Sequence, residues 1–414
     1  MACNTVRPSA ELVLARPFVP AGRPMTFETQ RLPRRRRRLG SVGVQIGLVV
    51  IVLGVAYAAI LNAAQNLARA HVASGFGFWN NTAGFDISQT LISYSASTST
   101  FGRAFCVGLL NTLLVAGIGI VLATVLGFFV GLARLSRNWL VARLAGGYVE
   151  LIRNVPLLLQ ILFWYNAVLR SLPNLSASIA LPGGAILNNR GLFMPRPEFT
   201  PGFSAAIAAL LLGVGAAIAL RLWRRRRQTQ TGTSVRVLWP VLGLVCGLLL
   251  IVLVLAGPPL TFKLPDVGRF NVRGGLEVLP EFAALLMALV VYTAAFIAEV
   301  VRAGILAVPS GQTEAAQALG LRSGSTLRLV VVPQAMRVII PPLTSQYLNL
   351  IKNSSLAVAI GYPDLFQVFA GSVLNITGQA VEVIAVTMAV YLSISLFTSL
   401  LMNLYARATL VVER

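Results

Sequence analysis

Residues 314–333 read EAAQALGLRSGSTLRLVVVP, a polar, glycine-containing stretch between two long apolar segments near the end of the chain. The rest of the chain differs from it in character, because 56% of the 414 residues are hydrophobic and only 11% are charged. A soluble domain of this length does not need so apolar a composition to fill its core, which indicates a membrane protein. The stretch therefore predicts a polar connection between two membrane-spanning helices.

Eight apolar windows are long enough to cross a bilayer as helices. They predict an all-α integral membrane protein with about eight transmembrane helices. Residues 1–40, rich in Pro and Arg, are typical of a disordered basic tail. A cleaved signal peptide is the alternative for the first window, although 40 residues before the apolar segment are long for such a signal. The windows are 41–62, 105–133, 148–170, 203–222, 237–257, 282–307, 337–360 and 380–404.

The distribution of charged residues predicts how the chain is oriented in the membrane. The chain carries 34 Lys and Arg residues and a net charge of +21, but these residues flank apolar windows and leave no soluble basic face for nucleic acid. Most of them lie on one side of the eight-span arrangement, in the tail and in the loops after the second, fourth and sixth windows. The positive-inside rule places this side, both termini and residues 314–333 in the cytoplasm.

The sequence contains few residues that could form a metal, redox or nucleotide-binding site. The three cysteines are far apart and His71 is the only histidine, so no ligand set for a metal or haem follows. The two lysines, Lys263 and Lys352, do not follow the glycine pattern of a phosphate-binding P-loop. We expect no metal, no cofactor and no ATP hydrolysis in this chain.

The first half of the polar stretch predicts a short helix over 311–319. Ser310 can cap it, Glu314 would lie near its positive end, and Gly320 can supply a left-handed stop. A small-residue face would then be open to another protein, formed by Ala315, Ala316 and Leu319.

The second half predicts another short helix over about 324–331. It would start at Ser323 or Ser325 and end before Pro333. An ordinary helical hairpin without a docking partner is the alternative for the whole stretch.

This stretch resembles the cytoplasmic loop of ABC importer permeases. That family carries E-A-A, three residues, Gly, nine residues and then Ile-x-Leu-Pro, and Val330 and Val332 here replace the Ile and the Leu. The resemblance implies a type I ABC importer permease core, with cytoplasmic coupling helices that lie in a cleft of a separate ATPase subunit. The positions that match, and that are implied to couple to the ATPase, are Glu314, Ala315, Ala316, Gly320 and Pro333.

Three further segments narrow the resemblance. Residues 148–165, 292–320 and 333–365 are similar to the polar amino-acid permease branch, and the whole chain is similar to the Q-type permease subunits of general L-amino-acid importers. The resemblance implies an amino-acid import permease in the bacterial cytoplasmic (inner) membrane. Its implied partners are a second homologous permease in a heterodimer, two ATPase subunits that bind ATP and Mg, and a periplasmic amino-acid-binding protein.

We therefore expect five regions along the chain. They are a disordered cytoplasmic tail (1–40), a first span with a periplasmic loop (41–100), the first part of the permease core (101–170), an insertion with two accessory, lipid-facing spans (171–279), and the second part of the core with the coupling loop at 309–333 (280–414).

Polar residues inside the sixth predicted span are candidates for a translocation pathway, because ionisable groups are costly in a membrane. Glu299 and Arg302 are three residues apart, and Tyr292 precedes Glu299 by seven. Glu299 could face a central cavity and hold a substrate ammonium group. Alternatively, Glu299 and Arg302 form a salt bridge that only stabilises the helix.

The third predicted span contains further candidates. Asn154 and Pro156 should interrupt its helix, which is tolerated only against protein or a watery cavity. Arg153 and Gln160, seven residues apart, should share a face. This face either lines the pathway or holds helices together through amide hydrogen bonds.

The seventh predicted span should begin after Pro341 and Pro342 and contains a polar group that includes Lys352 and Asn353. Lys352 could pair with Glu299 or meet a substrate carboxylate.

Two other functional classes remain open from the residues alone. An ion-driven secondary transporter or channel would use the buried Glu and Lys as coupling sites, but it leaves the polar loop without a role. A scaffold subunit of a membrane complex would transport nothing, so substitution of Glu299 or Lys352 would leave flux unchanged.

Overall fold

The structure is a computed structural model, and it is mostly helical. The chain divides into two compact units, Met1–His71 and Val72–Arg414. In the first unit, the described residues form one helix, α1 (Arg35–Arg69). The residues that the structure describes are 35–69, 75–231, 238–268 and 271–409.

The start of α1 differs from the predicted boundary between tail and first span. Residues 1–34 of the predicted tail lie outside the described residues. Residues 35–40 belong to α1 instead of a disordered tail, in keeping with the good helix propensity of arginine.

The helices of the second unit follow the predicted windows. Short 3₁₀ and π segments extend several of them, including 163–169 after α4, 327–331 before α10 and 354–360 after it. The helices are α2 (Phe101–Arg134), α3 (Trp139–Asn154), α4 (Leu157–Leu162), α5 (Pro201–Thr231), α6 (Leu238–Ala256), α7 (Pro280–Leu306), α8 (Ser310–Ala318), α9 (Ser323–Thr326), α10 (Val332–Asn353), α11 (Leu374–Thr377) and α12 (Ala380–Thr409).

Within the described residues, five helices are long and apolar enough to cross a membrane, and the pair formed by α3 and residues 157–169 is a sixth candidate. Shorter apolar helices over 43–59 and 245–255 lie in the first and fifth predicted windows. Every predicted window thus coincides with an apolar helix, and the prediction of a helical membrane protein is confirmed. The five helices are Phe101–Arg134, Gly202–Trp223, Pro280–Leu306, Ser323–Ile360 and Ala380–Arg407.

The predicted interruption of the third span is found between α3 and α4. The two helices are bent by 104°, and Val155 between them has an extended backbone with φ −101° and ψ 127°. Pro156 explains the bend, because proline disfavours the helical conformation of the preceding residue and has no N–H to continue the helix.

Two predicted boundaries around α10 are wrong. The helix in the second half of the loop does not end before Pro333, because residues 323–360 form one continuous span. Pro333 is the second residue of α10 and directly follows the π segment 327–331, so it lies inside this continuous span and removes one backbone donor from it. Pro341 and Pro342 lie inside α10 and do not precede it, since transmembrane helices tolerate proline when their surroundings satisfy the freed backbone groups.

The predicted insertion, 171–279, contains short β-strands that hydropathy windows do not show. β1, β2, β3 and β8 form an antiparallel sheet, β4 pairs with β5, and β6 pairs with β7. Gly183 and Gly184, both with positive φ, make the tight turn between β1 and β2. The strands are β1 (Ile179–Leu181), β2 (Ala185–Asn188), β3 (Gly191–Met194), β4 (Arg196–Phe199), β5 (Leu260–Lys263), β6 (Asp266–Val267), β7 (Val272–Arg273) and β8 (Leu276–Val278).

The core of the second unit is built on α7, which packs against α2, α3 and α10. Glycines bring these helices close together. A Cβ atom at Gly131 of α2 would lie 2.8 Å from the carbonyl oxygen of Ala298 and 2.9 Å from Cβ of Val301. Gly304 of α7 lies equally tightly against Ile339 of α10. Small residues of this kind let helix backbones approach each other in membranes.

Candidate functional site

The polar loop contains helix α8, but its start differs from the prediction. Ser310 is the first residue of α8 and makes no capping hydrogen bond, because Pro309 occupies the cap position. Glu314 is the fifth residue of α8, outside the first turn where a helix dipole stabilises an acid. The predicted roles of Ser310 as a cap and of Glu314 as a dipole partner are therefore wrong.

The end of α8 agrees with the prediction of a left-handed stop. Gly320 has φ +78°, and its N–H donates to the carbonyl of Gln317 at 2.9 Å. The N–H of Leu321 donates to the carbonyl of Ala316 at 3.1 Å. These two bonds form a Schellman motif, in which glycine is preferred because other residues are strained at positive φ.

The exposed residues of α8 include Glu314 and Ala315, and Leu319, the residue that caps the end of α8, is 83% exposed. Ala316 is only 4% exposed, so the expected small-residue face is wrong at this position. Ala316 packs inside the chain, since α8 folds back against residues 323–331. An exposed leucine beside a small residue leaves an apolar surface that another protein could cover.

Glu299 forms the predicted salt bridge with Arg302, whose Nη2 lies 2.7 Å from Oε1 of Glu299. Its other oxygen, Oε2, accepts from Arg134 and from Nε of Arg302 at 3.3 Å. Arg134 is the last residue of α2 and was not among the predicted site residues. Both carboxylate oxygens are thus taken by arginines, which leaves Glu299 poorly placed to bind an ammonium group.

Tyr292 and Arg153 lie around a shared aromatic ring, that of Phe296. The Tyr292 and Phe296 ring centroids are 4.9 Å apart, and the guanidinium carbon of Arg153 lies 5.0 Å from the Phe296 centroid. Arg153 is exposed and Tyr292 is half-buried. This arrangement puts a cation and two aromatic rings on one surface of α3 and α7.

Gln160 does not share a continuous helical face with Arg153, because the bend at Pro156 separates them. Its side chain is buried, and its Nε2 donates to the carbonyls of Ile152 and Val155, both at 3.0 Å. These are carbonyls at the broken end of α3. Gln160 therefore stabilises the bend, and its predicted place beside Arg153 is wrong.

Lys352 lies at an exposed position beside a cavity of about 430 Å³ between α10 and α12. Asn353 is half-buried and is not among the lining residues. Of the two alternatives for Lys352, the pair with Glu299 is not formed, because Arg134 and Arg302 bind Glu299 instead. The polar and aromatic lining includes Lys352, Ser355, Phe366, Thr387, Tyr391 and Ser395.

A buried acid next to this cavity, Asp364, was missed from the sequence. The Tyr391 hydroxyl donates to Oδ2 of Asp364 at 3.0 Å, and the N–H of Gln367 donates to Oδ1 at 2.8 Å. Burial raises the pKa of Asp364 from 3.8 to about 6. An Asp just before a helix often accepts a hydrogen bond from an N–H of the first turn. This capping pattern could have identified Asp364 from the sequence.

Comparison with known proteins places these features in a family. The family model "Binding-protein-dependent transport system inner membrane component" matches residues 276–411. The general L-amino acid transport system permease protein AapQ of Rhizobium johnstonii is 52% identical over 374 residues, which cover 90% of this chain and 93% of AapQ. The chain belongs to the permeases of amino-acid ABC transporters. This permease is also 53% identical over 371 residues to YhdX of Escherichia coli, a putative amino-acid ABC transporter permease, with 89% and 94% of the two chains covered.

The part of the permease that the family model matches extends from β8 to α12. It contains α8, Glu299, Lys352 and the cavity beside α12. Members of this family are membrane-embedded transport components and not enzymes, and they work with an ATPase and a binding protein.

A solved structure, an amino acid ABC transporter crystallised with histidines, covers 74% of the permease and 95% of its own chain. Its TM-score is 0.44 and its sequence identity is 22%. The family assignment rests on the sequence relatives.

Proposed function

We propose that this permease is a membrane subunit of an ATP-driven importer for L-amino acids and that it is coupled to a separate ATPase through α8. The observation that carries the proposal is the exposed helix α8, ended by the left-handed Gly320, in a chain 52% identical to a general L-amino acid permease. ATP and Mg would bind to the ATPase.

The geometry of the loop supports the coupling role. α8 lies between the ends of α7 and of the continuous span 323–360, so a force on α8 acts on two membrane helices at once. The exposed side chains of Glu314, Ala315 and Leu319 would enter the ATPase cleft. Movement of α8 would then shift the helices and expose the pathway alternately to the two sides of the membrane.

The candidate pathway residues are those with accessible charges or aromatic rings. Arg153 beside Phe296 and Tyr292 offers a cation for a carboxylate and rings for apolar side chains. Lys352 offers a second cation beside an apolar cavity. These contacts suit the groups common to many amino acids, as a general importer requires. Glu299 is a weaker candidate because two arginines occupy its carboxylate.

The assembly that we propose has two different permeases, two ATPase subunits and a periplasmic amino-acid-binding protein in the bacterial inner membrane. Both termini would be cytoplasmic. The distribution of arginines along the sequence supports this orientation.

Purification and reconstitution test the proposal. Extraction in mild detergent from the native host should co-purify an ATPase and a second permease, which mass spectrometry can identify. Proteoliposomes with the complex should accumulate labelled L-amino acids only with ATP and the binding protein. Uptake by this chain alone, driven by a proton or sodium gradient without ATP, would contradict the proposal and favour a secondary transporter.

Gly320→Val tests the coupling role of the loop. A β-branched residue at φ +78° is strained by about 1–3 kcal/mol, so the turn after α8 should change shape. We expect ATP-dependent uptake to fall at least about tenfold while membrane insertion is retained, measured by uptake assays and by fluorescence-detected chromatography. The matched control is Gly117→Val in α2, where a Cβ atom meets nothing within 4 Å. Normal uptake by Gly320→Val would count against α8 as the coupling element.

A further inference from the structure

The Arg134–Glu299–Arg302 cluster lies next to the helix end that leads into α8. Glu299 lies about two turns before Leu306, the last residue of α7, and α8 begins at Ser310. Arg134 is the last residue of α2, so its bond to Glu299 joins the end of α2 to α7 at a point about two turns before the end of α7. Arg302 binds the same carboxylate from within α7.

Packing around the cluster resists compression. Gly131 of α2 has no room for a side chain, since a Cβ atom would meet the carbonyl oxygen of Ala298 and Val301 of α7. Gly127, one turn earlier, is equally close to Ile297. When α7 moves toward α2, these backbone contacts pass the displacement on directly.

The same packing does not resist separation. Apolar helix surfaces in a bilayer have no strong hydrophobic drive to stay together, because lipid chains can replace the contacts. A charged hydrogen bond between two helices does resist separation, since breaking it leaves charges unpaired. The Arg134 side chain is 16% exposed and that of Glu299 is 28% exposed, so solvent screens the pair only in part.

We infer that the Arg134–Glu299 pair transmits movement of α8 from α7 to α2, which makes Arg134 and Glu299 positioning residues for energy coupling. This inference rests on the proposed function. The chain connects α8 directly to α7 on one side and to the continuous span 323–360, which contains α10, on the other, and α7 holds α2 through the ion pair. A pull on α8 therefore moves α2, α7 and α10 together. Without the pair, α7 would move and α2 would lag behind.

The test measures the number of amino acids taken up per ATP hydrolysed by the complete reconstituted transporter. Arg134→Gln breaks the link between helices and leaves the Glu299–Arg302 pair intact. We expect this ratio to fall at least about fivefold, with the ATPase rate changed less than about twofold. Arg134→Lys retains a cation and should restore most of the ratio.

Two comparisons separate coupling from a merely structural role. Arg302→Gln removes the partner within α7 and keeps the link to α2, so its effect on the ratio should be clearly smaller than that of Arg134→Gln. Arg143→Gln removes an exposed arginine of α3 and should leave the ratio unchanged.

A lower melting temperature with an unchanged ratio in Arg134→Gln would overturn the inference, as would equal losses in Arg134→Gln and Arg302→Gln. If Arg134→Gln does not assemble, the same ratio measured for Glu299→Asp, which shortens the link, decides in its place. Failure of the proposed function is distinguishable, because the unmodified complex would then show no ATP-dependent uptake at all.

Discussion

The carboxyl group of Asp364 is fully buried beside a turn, with one hydrogen bond from Tyr391 and one from the N–H of Gln367. The two bonds favour the ionised form, but burial outweighs them and raises the pKa to about 6. The acid joins the turn before the 366–373 helix to α12, next to the cavity that contains Lys352. The ionisation of Asp364 therefore depends on how tightly the chain packs around it, at a position next to a candidate pathway.

Asp364→Asn should change how stability depends on pH. Because the folded pKa is above the unfolded value of 3.8, the folded state favours the neutral acid. Protonated Asp364 contributes at most about 3 kcal/mol to the free energy of unfolding of the wild type. This contribution is fully present below pH 4 and is lost as the pH rises through 6. Asparagine stays neutral, so the stability of the variant relative to the wild type should increase between pH 4 and pH 7.

Thermal unfolding in detergent across this pH range measures the difference between the two proteins. Asp266→Asn, at an exposed strand residue, is the matched control and is measured over the same pH range. A pH-independent difference between Asp364→Asn and the wild type would contradict the assigned cause.

At the scale of elements, α2 and α7 make the most extensive helix–helix contact of the described core. Gly127 and Gly131 of α2 lie against the backbone of α7 near Ala294 and Ala298. Such contacts are short-range and depend on shape, so they tolerate no added atoms. The packing of the two helices therefore resists compression beside the coupling loop.

Gly131→Ala should weaken this pair. The new Cβ atom would lie 2.8 Å from the carbonyl oxygen of Ala298, and overpacking of this kind costs about 1–3 kcal/mol. Gly117→Ala in the same helix has open space around it and should be neutral or stabilising by up to about 1 kcal/mol. Thermal unfolding of both variants checks the prediction, and equal stability of the two would refute it.

Elements that depend on local chemistry were predictable from the sequence. Gly320 ends α8 because glycine tolerates positive φ, and Pro156 breaks the third span because proline removes a donor and restricts Val155. Pro341 and Pro342 were misread, since only the surroundings decide whether a membrane helix tolerates proline.

Contacts between distant residues were not predictable. Arg134 and Glu299 are separated by 165 positions, and neither spacing nor hydropathy relates them. The strands of the insertion were missed because segments of two to four residues are shorter than any window used to find membrane spans.

At the scale of the whole molecule, the α5–α6 pair is attached to the rest through a ribbon of two strands. The two helices pack chiefly against each other, with Gly213 of α5 close to Val245 of α6. β4 leads into α5 and β5 follows α6, and Phe199 pairs with Leu260 at the helical end of the ribbon. The α5–α6 hairpin is thus a peripheral part of the chain, and the residues that flank its two ends lie next to each other.

Removal of this hairpin should leave the core intact. Because Phe199 and Leu260 are paired, residues 200–259 can be replaced by Asn-Gly, a two-residue turn that suits an antiparallel ribbon. Deleting two spans keeps both termini on their original sides. We expect membrane insertion, co-purification with the ATPase and a melting temperature within a few degrees of the full chain, because the contacts among α2, α7 and α10 are unchanged. Loss of the second permease from the purified complex, with the core still folded, would instead identify α5 and α6 as the surface that holds the two permeases together.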